Sequence, residues 1–187
     1  MGRHSIDGFG ASIPLYVLGA IFLVPLIIGV VLVSSSADQE GHANQISRDV
    51  GSMYAQGVDF SRTENRAIAM RVAEGLGMDG AKGVVILSKI RIVRDDDCAE
   101  ATACANRGHA VVTQRYILGN PALRNSSFGT PERLDSATGE IQDWANDPSA
   151  RAQEFSAKLQ PGESTFAAEC YLTSRENRQG VYSRVMF

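Results

Sequence analysis

The chain has 187 residues, a formal net charge of -3 and a sequence pI of about 5.6. That length holds one ordinary domain plus a further segment. Past residue 37 the lysines and arginines are scattered among acids, which excludes nucleic acid as a partner, because phosphate binding needs a clustered basic excess.

From Gly8 to Ala37 no residue is charged. The most apolar part, 13–33, reads IPLYVLGAIFLVPLIIGVVLV. It has the ~20 residues a helix needs to cross a bilayer and exceeds the ~7–15-residue core of a cleaved signal. "VSSSA" at 33–37 keeps the cleaved-signal alternative open. The reading is a transmembrane helix, with the lipid bilayer as partner. Arg3 and His4 precede it; Asp38 and Glu40 follow it. The positive flank stays in the cytoplasm, so residues 1–12 lie inside and the bulk of the chain outside. Pro25 interrupts the run and loosens or kinks the helix there.

Beyond Asp38, residues Ala43, Ile46, Val50, Met53, Tyr54 and Val58 recur three or four apart. This is one apolar stripe on a polar helix, ending near Gly57. It defines a helical stalk over 34–60. If continuous with the apolar run, the helix exceeds ~40 residues, roughly 65 Å. Gly41 and Gly51 weaken it. "SRTE" from Ser61 has the form of a capping box, opening a second helix over 62–76 with Ala69, Val72, Ala73 and Leu76 on its apolar face. "GLGMDGAKG" matches GxGxxG at Gly75, Gly77 and Gly80. A helix precedes it and a strand follows, the reverse of what a dinucleotide site requires. It reads as a helix end and a turn.

"GVVILSKIRIVR" alternates as a half-buried strand, and "HAVVTQRYILGN" is a second, mixed in pattern. Together they make a long hairpin. "STFAAECYLTS" and "GVYSRVMF" alternate as two more strands joined by "RENRQG". Residues 120–163 form a polar excursion. Within it Asp147 and Pro148 mark the start of a short helix, and Trp144 is a candidate contact residue whose default is packing on the sheet.

Cys98 and Cys104 enclose five residues. A location outside the cytoplasm permits a disulfide between them. A metal site is the rival, with spacing looser than C-x2–4-C and no second Cys/His pair. Cys170 falls on an apolar strand face and reads as a buried thiol. Asp95–Asp97 lack the alternating ligand spacing of a calcium loop and read as a solvated charged loop. His4, His42 and His109 are isolated, and no HExxH or GxSxG motif occurs, so no catalytic, cofactor-binding or metal residue is assigned and the chain reads as non-enzymatic. Asn125-Ser126-Ser127 fits N-x-[ST] only as a weak pattern.

Taken in order, the charge-poor N-terminal helix, "NQISRDVGSMYAQGVDFS", "GVVILSKIRIV", "TQRYILGN", "FGTP", "ECYLTS" and "GVYSRVMF" resemble the TadE-like proteins of bacterial tight-adherence pili. The resemblance covers nearly the whole chain from the apolar helix onward. It implies a pseudopilin or minor pilin that helps to assemble, prime or decorate a thin filament used in surface adhesion. It also implies processing after a glycine, for which Gly8 and Gly10 are candidates. The acid usual at the fifth mature position is missing: Ile13 or Leu15 stands there.

The combined expectation is an α+β protein. A long N-terminal transmembrane helix continues into a pilin-like extracytoplasmic domain, 61–187, with a four-stranded, mostly antiparallel sheet. The expected partners are the bilayer and other pilus or secretion-machinery subunits, with possible self-assembly. The expected location is the bacterial inner membrane or an extracellular filament, and no cofactor is implied. The alternative function is an anchored extracytoplasmic domain that binds a small solute or cell-wall polymer.

Overall fold

A computed structural model describes residues 12–98, 104–155, 159–160, 163–173 and 180–187, with side chains omitted for 12–19 and 31–37. Helix α1 runs Ser12–Ala55 and α2 runs Thr63–Gly75; the strands are β1 Gly83–Ile92, β2 Ala110–Gly119, β3 Ser164–Leu172 and β4 Val181–Met186. The chain divides into two compact units, 1–38 and 39–187.

The expected transmembrane helix at 13–33 is not upheld. Among the described residues no helix is long and apolar enough to cross a membrane. Ile21, Phe22, Leu23, Val24, Leu26, Ile27, Ile28 and Val30 are all at least half exposed. The apolar surface therefore runs all round this part of the helix.

The second unit is built on one four-stranded sheet in the order β2-β1-β3-β4, with every neighbouring pair antiparallel. One face carries Val85, Leu87, Tyr116, Leu118, Ala168, Cys170 and Leu172. On it packs the stripe of α1: Ala43, Ile46 and Val50 are fully buried, Tyr54 nearly so. Ala69 and Ala73 of α2 complete this layer. Gly51 sits where α1 comes closest to the sheet. A Cβ there would lie 2.6 Å from the Ala168 Cβ and collide with the Phe187 ring. The residue that weakens the helix by propensity is the one that lets it dock.

The opposite face carries Ile90, Ile92, Ala110, Val112 and Ala167, covered by Phe128, Ile141, Ala150 and Phe155 of the excursion. The mixed pattern of β2 has a definite cause. Lys89 pairs with Gln114, but Ile90 pairs with Val112, so Thr113 is an extra residue on β2. Such a bulge reverses the alternation, and places Val112 and Ala110 on the same face as Arg115. The outer edge of β2 is closed by the excursion. Ile141 N–H donates to Thr113 O (3.0 Å), Arg115 N–H to Gly139 O (2.6 Å) and Ala152 N–H to Ala110 O (2.8 Å). Closing the edge in this way blocks strand addition there.

Both helices end alike. Val58 N–H donates to Met53 O and Gly57 N–H to Tyr54 O, with Gly57 at φ 89°. Met78 and Gly77 repeat this with Ala73 and Glu74, Gly77 at φ 88°. These are Schellman endings, which place glycine in the left-handed region. Gly77 is the glycine of "GLGMDGAKG" that this ending requires. The capping box at Ser61 does not form. Ser61 donates both its N–H (2.9 Å) and its hydroxyl (2.6 Å) to Asp59 Oδ1. With Ser61 drawn into that local turn, α2 starts at Thr63 behind Arg62, whose side chain pairs with Asp59 at 3.5 Å and makes no capping hydrogen bond. The helix expected after Asp147 is instead two 3-10 turns, Pro148–Ala150 and Gln153–Phe155, though Asp147 does accept from Ser149 N–H.

Candidate functional site

The loop between β1 and β2 is held at several points. Cys98 and Cys104 form a disulfide with their Cα atoms 5.5 Å apart. On the chain-entropy account a loop this short contributes about 2–2.5 kcal/mol. The preceding aspartates are not simply a solvated run. Asp95–Asp97 make a 3-10 turn. Asp97 accepts twice from Arg91 Nη2 (2.6 Å each) and once from Arg94 N–H (2.9 Å). Asp95 pairs with Arg107 at 3.2 Å. The sequence places Arg91 six residues before Asp97, and the chain reversal after β1 brings them together.

Asn106, fully buried, ties this loop to the excursion. Its amide donates to Trp144 O (2.7 Å) and Asp147 O (2.6 Å), and its Oδ1 accepts from Arg151 Nε (2.7 Å). A buried amide with donors and acceptor all engaged fixes geometry at little cost. Trp144, carried on that segment, takes the Arg91 guanidinium over its ring at 4.9 Å.

A second polar cluster lies between the sheet and the excursion. Arg115 (β2) and Glu169 (β3) are 5% and 2% exposed. Arg115 donates to Ser88 Oγ (3.1 Å), Gly129 O (3.0 Å), Ser126 Oγ (3.1 Å) and Phe128 O. Glu169 accepts from Ser127 N–H (2.9 Å), Ser127 Oγ (2.8 Å), Tyr182 OH (2.6 Å) and Ser126 Oγ. Ser126 thus joins the two charges without direct contact between them. Burial lowers the Arg115 pKa to about 10, against the pull of Glu169. Burial and the bond to Glu169 raise that of Tyr182 to about 12. The arrangement clamps "NSSFG" (125–129) onto the sheet. Its one carboxylate accepts from three hydroxyls and a backbone N–H at once, so its acceptor capacity is taken up in holding that segment.

Of the residues singled out by sequence, Cys98 and Cys104 are joined. Cys170 is buried, its thiol raised to about 12 by desolvation. Gly8 and Gly10 lie outside the described residues. Among the described residues no cluster of His, Cys, Asp and Glu is arranged to hold a metal ion. Sequence reasoning missed Asn106, Arg115 and Glu169. The available signal for Glu169 was its position between Ala168 and Cys170, on the sheet face that the excursion covers.

No family model, no curated protein and no solved structure matches the chain.

Proposed function

We propose that this protein is a non-enzymatic, TadE-like subunit of a bacterial pilus-assembly system, working by packing rather than by chemistry. The observation that carries the reading is the division of labour along α1. Its 39–55 part is a structural layer of the sheet domain, whereas Ile21–Val30 exposes apolar side chains on every side. A contiguous apolar surface of this kind must be covered by something else in the cell. The helices of neighbouring pilus subunits are the partners proposed. The disulfide supports placement of the sheet domain outside the cytoplasm, where such bonds persist. The buried clamp and the tied loop give that domain the rigidity a subunit surface requires.

The test is deletion of the gene in the native bacterial host. The expected outcome is a marked loss of surface filaments and of attachment, restored by the intact chain. Normal filament yield and attachment in the deletion strain would refute the assignment.

A further inference from the structure

On the helix face of the sheet, coverage by α1 stops at Tyr54, whose hydroxyl donates to Gln114 Oε1 at 2.9 Å. Beyond that point β1 and β2 leave Lys89 and Gln114 as a cross-strand pair. A cavity of about 270 Å³ opens there, lined by Lys89, Arg91, Thr113, Gln114, Glu140 and Trp144 among others. It is close to the lower size of small-ligand sites, enough for one sugar ring. Its walls are long polar side chains beside an indole.

The groups in it are held in different ways. Arg91 is fixed by both Asp97 oxygens and by the Trp144 ring. Gln114 is fixed by Tyr54, by Tyr116 OH (3.0 Å) and by Thr138 O (3.4 Å). Lys89 rests its ammonium 5.7 Å from the centre of the Phe166 ring and makes no ion pair among the described residues. A half-buried cation beyond ion-pair distance of the one carboxylate in its cavity, Glu140, and flanked by side chains held in place, is an anion-recognition element. Glu140 supplies an acceptor for hydroxyl groups.

We infer that this cavity binds a carboxylate-bearing sugar unit of the uronic-acid class, with Lys89 on the carboxylate and Glu140 and Gln114 on ring hydroxyls. The site is independent of the pilus assignment and would give a surface subunit a saccharide contact.

Trp144 is the sole tryptophan of the chain, so its emission reports on this cavity alone. The full-length protein, kept in a sugar-free detergent, is titrated with D-glucuronate, D-glucose and D-glucosamine. A saturable emission change at millimolar glucuronate is expected, with glucose weaker by about tenfold, the scale of one charge-assisted hydrogen bond. Lys89→Met should lose the preference for glucuronate while keeping its thermal unfolding midpoint. Nuclear magnetic resonance saturation transfer to glucuronate provides a second readout. No saturable response, an unaltered preference in Lys89→Met, or tighter binding of glucosamine would each overturn the proposal.

Discussion

Replacing Glu169 with alanine is expected to lower the unfolding free energy by about 3–5 kcal/mol, the usual cost of removing one partner from a buried charged cluster. The loss has two parts. Arg115 is left as a buried cation without its compensating charge, with burial already lowering its pKa to about 10 against the pull of Glu169. In addition, the hydroxyls of Ser126, Ser127 and Tyr182 and the Ser127 N–H lose their common acceptor; Ser126 and Tyr182 are half-buried and Ser127 is exposed, so water replaces part of this and it is the smaller share. Glu169→Gln keeps the shape and one acceptor oxygen, so it should lose less. The double change Arg115→Met with Glu169→Leu removes both charges together and should recover part of the loss, because apolar replacement of a buried pair is often near neutral. Urea unfolding of the full chain measures all three. An alanine variant within about 0.5 kcal/mol of the parent, the range of ordinary surface changes, would show that the cluster does not clamp the excursion.

The other large effect is expected at Tyr54. Its ring meets Phe60, Tyr116 and Phe166 edge-on, with centroids 5.9, 5.7 and 5.2 Å away. Its hydroxyl donates to Gln114. It is therefore the last anchor of α1 on the sheet, at the centre of an aromatic group drawn from α1, the following loop, β2 and β3. Tyr54→Ala should cost about 3–5 kcal/mol, as for other large aromatic truncations in cores. Tyr54→Phe retains the packing and should cost about 1 kcal/mol, the net worth of one hydrogen bond. The same unfolding measurement separates the two. Equal losses in both variants would place the energy in the hydroxyl rather than in the ring.

The contrast between these two sites shows what was legible in the sequence. The stripe Ala43, Ile46, Val50, Tyr54 has helical period, and a period of that kind needs no tertiary knowledge to read. The alternation in β1 and β3 was equally open, as was the Cys98–Cys104 pair. Thr113 was not, because a bulge is defined by the partner strand and changes the parity of β2 without any local mark. Arg115 shared that concealment. Its burial follows from the excursion lying over it, and the excursion itself has neither period. Ser61 fails as a cap because its N–H and hydroxyl both turn back onto Asp59, two residues earlier, and α2 begins only at Thr63. The transmembrane expectation rests on composition over 13–33, and among the described residues no helix is long and apolar enough to cross a membrane.

The account rests on Ile21–Val30 being a packing surface for other subunits. Cysteine cross-linking at Val24 tests that most directly. Val24 is about half exposed, and the native cysteines do not interfere: Cys98 and Cys104 are already joined and Cys170 is buried. Under mild oxidation in cells that assemble filaments, Val24→Cys paired with a single cysteine introduced in turn along the apolar helix of a neighbouring pilus subunit should yield a discrete disulfide-linked species. Glu74→Cys, on the exposed side of α2, should not. If Val24→Cys stays unlinked while filaments form normally, α1 does not pack as proposed.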